Sequence, residues 1–156
     1  MTHIISTSYL GGIFGGDYAK HVDAAVKTVK DFKKHTDFDA IAFMGTSGAG
    51  MAFPLSYFLK LPLIHIPKPG VYRHSSYIIE GTLSSKKYLI VDDFLASGNT
   101  VRKIEEAITD QTVGSKPVGI FLYQSNGSSL YILGKYSVPI VTMATPAGYY
   151  AASYTT

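Results

Sequence analysis

Residues 89–100 read LIVDDFLASGNT and place two carboxylates where an apolar strand should end. Asp92 and Asp93 are followed, two apolar residues later, by the small-residue run Ala96, Ser97, Gly98, Asn99 and Thr100. Such a loop, leading into a helix, gathers backbone N–H groups at a positive helix N-terminus and suits a phosphate. Ser97 and Thr100 add hydroxyl donors, and Gly98 permits close backbone approach. Acids aimed at a phosphate would repel it, so Asp92 and Asp93 should face neutral hydroxyls or a metal ion. A sugar phosphate meets both conditions, with its phosphate on the loop amides and its hydroxyls on the acids. Two more loops are candidates for the same site: GTSGAG at residues 45–50 and KPGVYRHSS at residues 68–76.

These loops need strands and helices to hold them. Residues 4–10 are strand-like and precede the glycine loop GGIFGG, which does not fit the dinucleotide pattern Gly-x-Gly-x-x-Gly. From Asp17 to His35, Val22, Val26, Val29 and Phe32 recur at helical spacing, with Asp17 placed to cap the helix. FDAIAFMG predicts a buried strand, GTSGAG a loop, and Met51, Leu55, Phe58 and Leu59 the inner face of a second helix. Pro54 then belongs in the first turn of that helix. LPLIHIPK and YLIVDD predict further strands, and residues 69–81 a loop or hairpin with a strand-like stretch at residues 77–79. SGNTVRKIEEAI predicts a helix with Val101, Ile104 and Ile108 inward. PVGIFLYQS, a short SLYIL and VPIVTMAT predict the remaining strands. Apolar strands alternating with helices predict an α/β fold, a mostly parallel sheet covered on both faces. Ligands of such sheets bind beyond the carboxyl ends of the strands, where the three loops fall.

The bulk numbers narrow the class. The 156 residues, with no linker or composition shift, predict a single domain over 1–156. A 46% apolar and 16% charged composition fits a compact soluble chain. No apolar run approaches the roughly 20 residues that span a bilayer, and the N-terminus lacks the charged and apolar regions of a signal peptide. The absence of cysteine excludes disulfides and thiolate metal sites and fits the cytoplasm. The net charge of +3 is mild and its lysines are dispersed, so a polyanionic small molecule is expected and nucleic acid is not. His3, His21, His35 and His65 show no metal-ligand spacing, and His65, on an apolar strand, reads as a core or sheet residue.

The segment LIVDDFLASGNT resembles the phosphoribosyl-pyrophosphate (PRPP) motif of the type I phosphoribosyltransferases, nearest the adenine and xanthine enzymes. Residues 39–68 are similar to the adenine-type segment without a gap, and the run from Lys68 to Gly81 resembles the mobile loop of the orotate-type enzymes. Small phosphoribosyltransferase-like proteins of phages are similar as well. The resemblance covers residues 39–108. It implies a type I, Rossmann-like sheet with a flexible loop or hairpin and a small hood. The implied reaction joins a nucleobase, with purine slightly favoured, to PRPP with loss of pyrophosphate. The implied cofactor is Mg²⁺, and the implied assembly a homodimer.

The same resemblance implies roles. Asp92 and Asp93 would bind the ribose hydroxyls, directly or through Mg²⁺. Ala96, Ser97, Gly98, Asn99 and Thr100 would hold the 5′-phosphate. Thr46, Ser47 and Gly48 would form the pyrophosphate loop, with Lys68 reaching the pyrophosphate. Arg73 and His74 would close over the leaving group, and Glu80 would meet the base. Tyr9 to Phe14, or Tyr149 and Tyr150, would supply the hood. This chain departs from the family at Gly45 and Ser47, where adenine-type enzymes carry an acid and an arginine. It departs again at Pro67, at Val71, where orotate-type enzymes place a lysine, and at Ala96, where hypoxanthine-guanine enzymes place an aspartate. Plainer alternatives remain: the acids as a turn or cap, Lys68 and Arg73 as solvated charges, Glu80 as a hairpin end. A domain that binds PRPP without catalysis is the competing function.

Overall fold

A computed structural model describes residues 14–70, 77–82, 84, 86–124 and 135–143. The described chain runs α1 (Tyr18–His35), β1 (Ala40–Met44), α2 (Gly45–Leu59), β2 (Leu63–Ile66), β3 (Glu80–Gly81), β4 (Lys87–Asp92), α3 (Asn99–Gln111), β5 (Lys116–Leu122) and β6 (Ile140–Thr142). One sheet carries the strands in the order β3-β2-β1-β4-β5-β6. All neighbours are parallel except β2 and β3, which pair antiparallel at one edge. The α/β class and the mostly parallel sheet expected from the alternation are both present.

Alternation along the strands builds a core on each face. Ile41, Phe43, Leu89, Val91 and Phe121 face α1 and α2, meeting Val22, Val29, Phe32, Met51 and Leu55. Ala40, Ala42, Ile90, Ile120 and Leu122 face α3, meeting Val101, Ile104 and Ile108. Each buried Leu, Ile or Phe contributes about 1.5–3 kcal/mol relative to exposure. Double coverage explains why the strands read as unbroken apolar runs. Successive connections leave β1 toward β2 on one side and β4 toward β5 on the other. The strand order therefore reverses between β1 and β4, and a crevice opens beyond their carboxyl ends.

The helices follow the spacing with instructive exceptions. Asp17 stands at the start of α1, but its carbonyl, not its carboxylate, does the work, accepting from the His21 N–H at 3.1 Å. GTSGAG is not a loop: α2 begins at Gly45, directly after β1. Pro54 therefore lies inside α2 rather than in its first turn. A proline there leaves the carbonyl four residues earlier without its helical donor. That carbonyl belongs to Gly50, and the Tyr18 hydroxyl of α1 donates to it. Met51 and Leu55 face the core as expected, whereas Phe58 is 46% exposed. At the last turn of α2 the neighbour is the lysine-bearing stretch of α1. Phe58 and Leu59 line a shallow hollow there with Lys30, Lys33 and Lys34.

The edge strand also shifts. Residues 77–79 are irregular, and pairing to β2 begins at Glu80, opposite His65. His65 stacks on Phe43 with ring centroids 4.9 Å apart, in keeping with a sheet histidine. The predicted strands at residues 4–10 and 129–133, residues 71–76 of the Lys68–Gly81 loop, residues 9–13 of the Tyr9–Phe14 hood candidate, and Tyr149 and Tyr150 lie outside the described residues.

Candidate functional site

The crevice between β1 and β4 collects most of the predicted residues. Ser47, Lys68 and residues 92–100 line one open cleft. Asp92 is the last residue of β4, and the loop of residues 93–98 carries the chain to α3. Gly98 caps α3 with φ +78°, and among the described residues no side chain caps it. The N–H groups of the first turn of α3 beyond Asn99 have no side-chain acceptor from the Gly98 cap. Ser97 Oγ lies 3.4 Å from the Asn99 N–H, which shapes the loop, and Ala96, Ser97 and Asn99 are exposed at its rim.

Asp92 and Asp93 are each only 4% exposed. Asp92 Oδ1 accepts from the Asp93 N–H at 3.0 Å and from Ser47 Oγ at 3.3 Å. Asp93 Oδ1 accepts from the Phe94 N–H at 2.8 Å, while its Oδ2 is buried without a hydrogen-bond partner among the described residues. Burial, and then the like charge of Asp93, push the Asp92 carboxyl up to about 7, against the opposing pull of the Asp93 N–H and the Ser47 hydroxyl. A buried orphan oxygen beside a carboxylate with a raised pKa suits a hard divalent cation or a hydroxyl-rich ligand. No third His, Asp, Glu or Cys joins the pair to make a metal cluster among the described residues. The protein would therefore offer a cation two acids, leaving its other positions to ligand and water oxygens.

The facing wall is built differently. Gly45 opens α2 with φ +66°, and a Cβ there would stand 2.5 Å from Lys68 Cε. Only glycine both adopts that backbone and leaves room for the Lys68 stem. Thr46 is exposed and does not line the cleft, and Ser47 is half-buried beside Asp92. Gly48 lies beneath them, where a Cβ would come within 2.9 Å of Phe43 Cβ and 3.1 Å of the Val91 carbonyl oxygen. It brings α2 down onto the sheet rather than lining the cleft. Glu80 is exposed on the edge strand and does not line the cleft. Arg73 and His74 lie outside the described residues.

One contributor escaped the sequence reading. Tyr123, just past β5, is 2% exposed, and its hydroxyl donates to the Ser47 carbonyl at 2.5 Å. Its own N–H donates to the Asp92 carbonyl at 3.2 Å. The available signal was its place: a hydroxyl-bearing aromatic at the carboxyl end of a central strand.

Comparison with known proteins settles the family. No protein-family model matches the sequence. An adenine phosphoribosyltransferase from Desulforamulus reducens is 33% identical over 143 residues, covering 81% of this chain and 78% of that protein. The chain belongs to the type I phosphoribosyltransferases. The adenine phosphoribosyltransferase of Petrotoga mobilis is 29% identical over 111 residues, and the match spans 62% of this chain and only 63% of that protein. In fold the chain is similar to the orotate phosphoribosyltransferase of Aeropyrum pernix, with a TM-score of 0.62 and 18% identity over 84% of this chain and 73% of that one. No helix among the described residues is long and apolar enough to cross a membrane.

Proposed function

We propose that this member of the family is a phosphoribosyltransferase that joins a nucleobase, a purine ahead of a pyrimidine, to PRPP with release of pyrophosphate. The observation that carries this is a single cleft holding a buried acid pair, a helix start behind a glycine cap and a lysine. The purine preference draws on the relatives named adenine phosphoribosyltransferase.

In this scheme residues 96–100 hold the 5′-phosphate on the N–H groups at the start of α3, with Ser97 and Thr100 adding hydroxyl bonds. Asp92 and Asp93 take the ribose hydroxyls or a Mg²⁺ ion. The orphaned Asp93 Oδ2 fits such an ion, which supplies charge neutralisation for phosphate oxygens when bound. Of the loop residues Thr46, Ser47 and Gly48, Ser47 presents the start of α2 to the pyrophosphate, Thr46 stands beside it, and Gly48 seats the helix on the sheet, while Lys68 adds a positive charge across Gly45. The C1–O bond to pyrophosphate breaks as the C1–N bond to the base forms, and the base N–H proton leaves to solvent or phosphate. The acids near the ribose favour the positive charge that develops at C1. Arg73 and His74 close over the leaving group, Glu80 meets the base, and exclusion of water protects PRPP from hydrolysis. A cytoplasmic homodimer completes the scheme, supported by the cysteine-free composition and the habit of the family.

The test is pyrophosphate release from PRPP with Mg²⁺ across purines, pyrimidines and nicotinate-like acids. Turnover with one base and not the others supports transfer, and silence across the panel counts against it. A second function, PRPP binding without catalysis, is favoured by one observation: the start of α2 carries Gly45 and Ser47 and no cationic side chain of its own. Tight PRPP binding in calorimetry without turnover would select it.

A further inference from the structure

The geometry points to Tyr123 as a positioning residue that holds the pyrophosphate-binding turn of α2 in register with the acid pair. The assignment rests on the ligand scheme proposed above, and on a closed circuit of three hydrogen bonds. The Tyr123 N–H donates to the Asp92 carbonyl at 3.2 Å, the Tyr123 hydroxyl to the Ser47 carbonyl at 2.5 Å, and Ser47 Oγ to Asp92 Oδ1 at 3.3 Å. The circuit joins β4, the segment after β5 and the first turn of α2, across the point where the strand order reverses. A second tie runs parallel to it, from the Gln124 N–H to the Asp93 carbonyl at 2.8 Å.

The circuit matters because its weakest bond is the one nearest the ligand. At 3.3 Å, the Ser47–Asp92 contact is long for an O–H···O bond. Close packing of Gly48 on Phe43 and Val91 sets the height of α2 above the sheet, but among the hydrogen bonds of the described residues only the Ser47 Oγ–Asp92 contact and the Tyr123 hydroxyl tie its first turn to the acid-bearing side. The Tyr123 hydroxyl, fixed by a ring packed with Phe43, Val91 and Phe121, supplies the anchor. It grips a carbonyl of the first turn, and the N–H groups of that turn are the ones left without helical acceptors. Moving the turn would move those donors relative to Asp92 while leaving the α3 phosphate loop where it is.

That asymmetry gives a test. Tyr123→Phe deletes one oxygen and keeps the ring. The Ser47 carbonyl retains its own helical donor four residues on, so no buried acceptor is orphaned. Calorimetry on the full chain in Mg²⁺ buffer would compare inorganic pyrophosphate, which needs the α2 turn, with ribose 5-phosphate, which needs the acids and the α3 loop. The expected result is pyrophosphate affinity lowered about tenfold in Tyr123→Phe, with ribose 5-phosphate unchanged within about twofold. Equal loss for both anions would reveal a merely structural residue and overturn the assignment, as would no loss for either. If the parent chain bound neither anion, the ligand scheme itself would fall and Tyr123's role with it. Binding of both by the parent but parallel behaviour of the variant removes Tyr123 alone.

Discussion

Two strand-to-helix junctions face each other across the cleft, and they solve the same problem in opposite ways. From β4 to α3 the chain spends residues 93–98 on a loop, buries two acids and starts the helix at a glycine cap. From β1 to α2 it spends no residue at all, and the helix begins where the strand stops. The first junction carries its chemistry in its own side chains. The second is nearly bare, and its charge is borrowed from Lys68, which reaches in from beyond β2 over Gly45. A helix start stripped of side chains can approach a ligand and a sheet closely, but it depends on neighbours for charge and for position.

The largest effect should come from the acid-bearing side. Replacing both acids, Asp92→Asn with Asp93→Asn, should weaken PRPP binding by about a hundredfold, since each carboxylate makes charge-assisted bonds that an amide cannot. Unchanged binding by calorimetry would falsify the ligand scheme. On the bare side, Gly45→Ala combines a strained left-handed backbone with a collision against Lys68. It should cost roughly 2 kcal/mol in denaturant unfolding. Stability equal to the parent would mean that neither the left-handed backbone nor the Lys68 stem excludes a side chain at position 45. Lys68→Ala should lower pyrophosphate affinity about tenfold with little change for ribose 5-phosphate. A loss shared by both ligands would erase the proposed division of labour.

The smallest effect concerns stability and pH. Asp92 titrates near 7 when folded and near 3.8 as an ordinary carboxyl. The folded protein therefore binds the proton more tightly, and stability falls as pH rises from about 4 through 7. Asp92→Asn removes that loss, so it should stabilise the chain at pH 8 by on the order of 1 kcal/mol and have little effect at pH 4. Thermal melts at the two pH values decide it, and an equal shift at both would mean that burial and the neighbouring Asp93 charge do not raise the Asp92 carboxyl.

The same contrast explains what the sequence disclosed. Asp92, Asp93 and the α3 loop were legible because loop, acids and apolar strand lie consecutively, and because double burial leaves β4 with an uninterrupted apolar run. Val22, Val26, Val29 and Phe32 marked α1 by spacing alone. The start of α2 was misread, since Gly, Thr and Ser at residues 45–48 favour a loop by local preference. Contacts of Gly48 with Phe43 and Val91 override that preference, and such contacts leave no local pattern. Tyr123 was missed for the same reason: its hydroxyl meets a partner 76 positions away in the chain. The edge strand began later than its apolar residues implied. Ile78 is 54% exposed and Glu80 pairs instead, because a two-residue edge strand is set by its partner's register.

Pro54 has a consequence for which substitutions the chain can accept, and in what order. The Tyr18 hydroxyl answers a carbonyl that the proline left without a donor, so positions 18 and 54 are epistatic. With Pro54 in place, Tyr18→Phe removes the donor to the Gly50 carbonyl; with alanine at 54, the helix can supply its own and the tyrosine becomes free to vary. A lineage can lose the proline first and the hydroxyl afterwards at little cost, but the reverse order passes through a less stable intermediate.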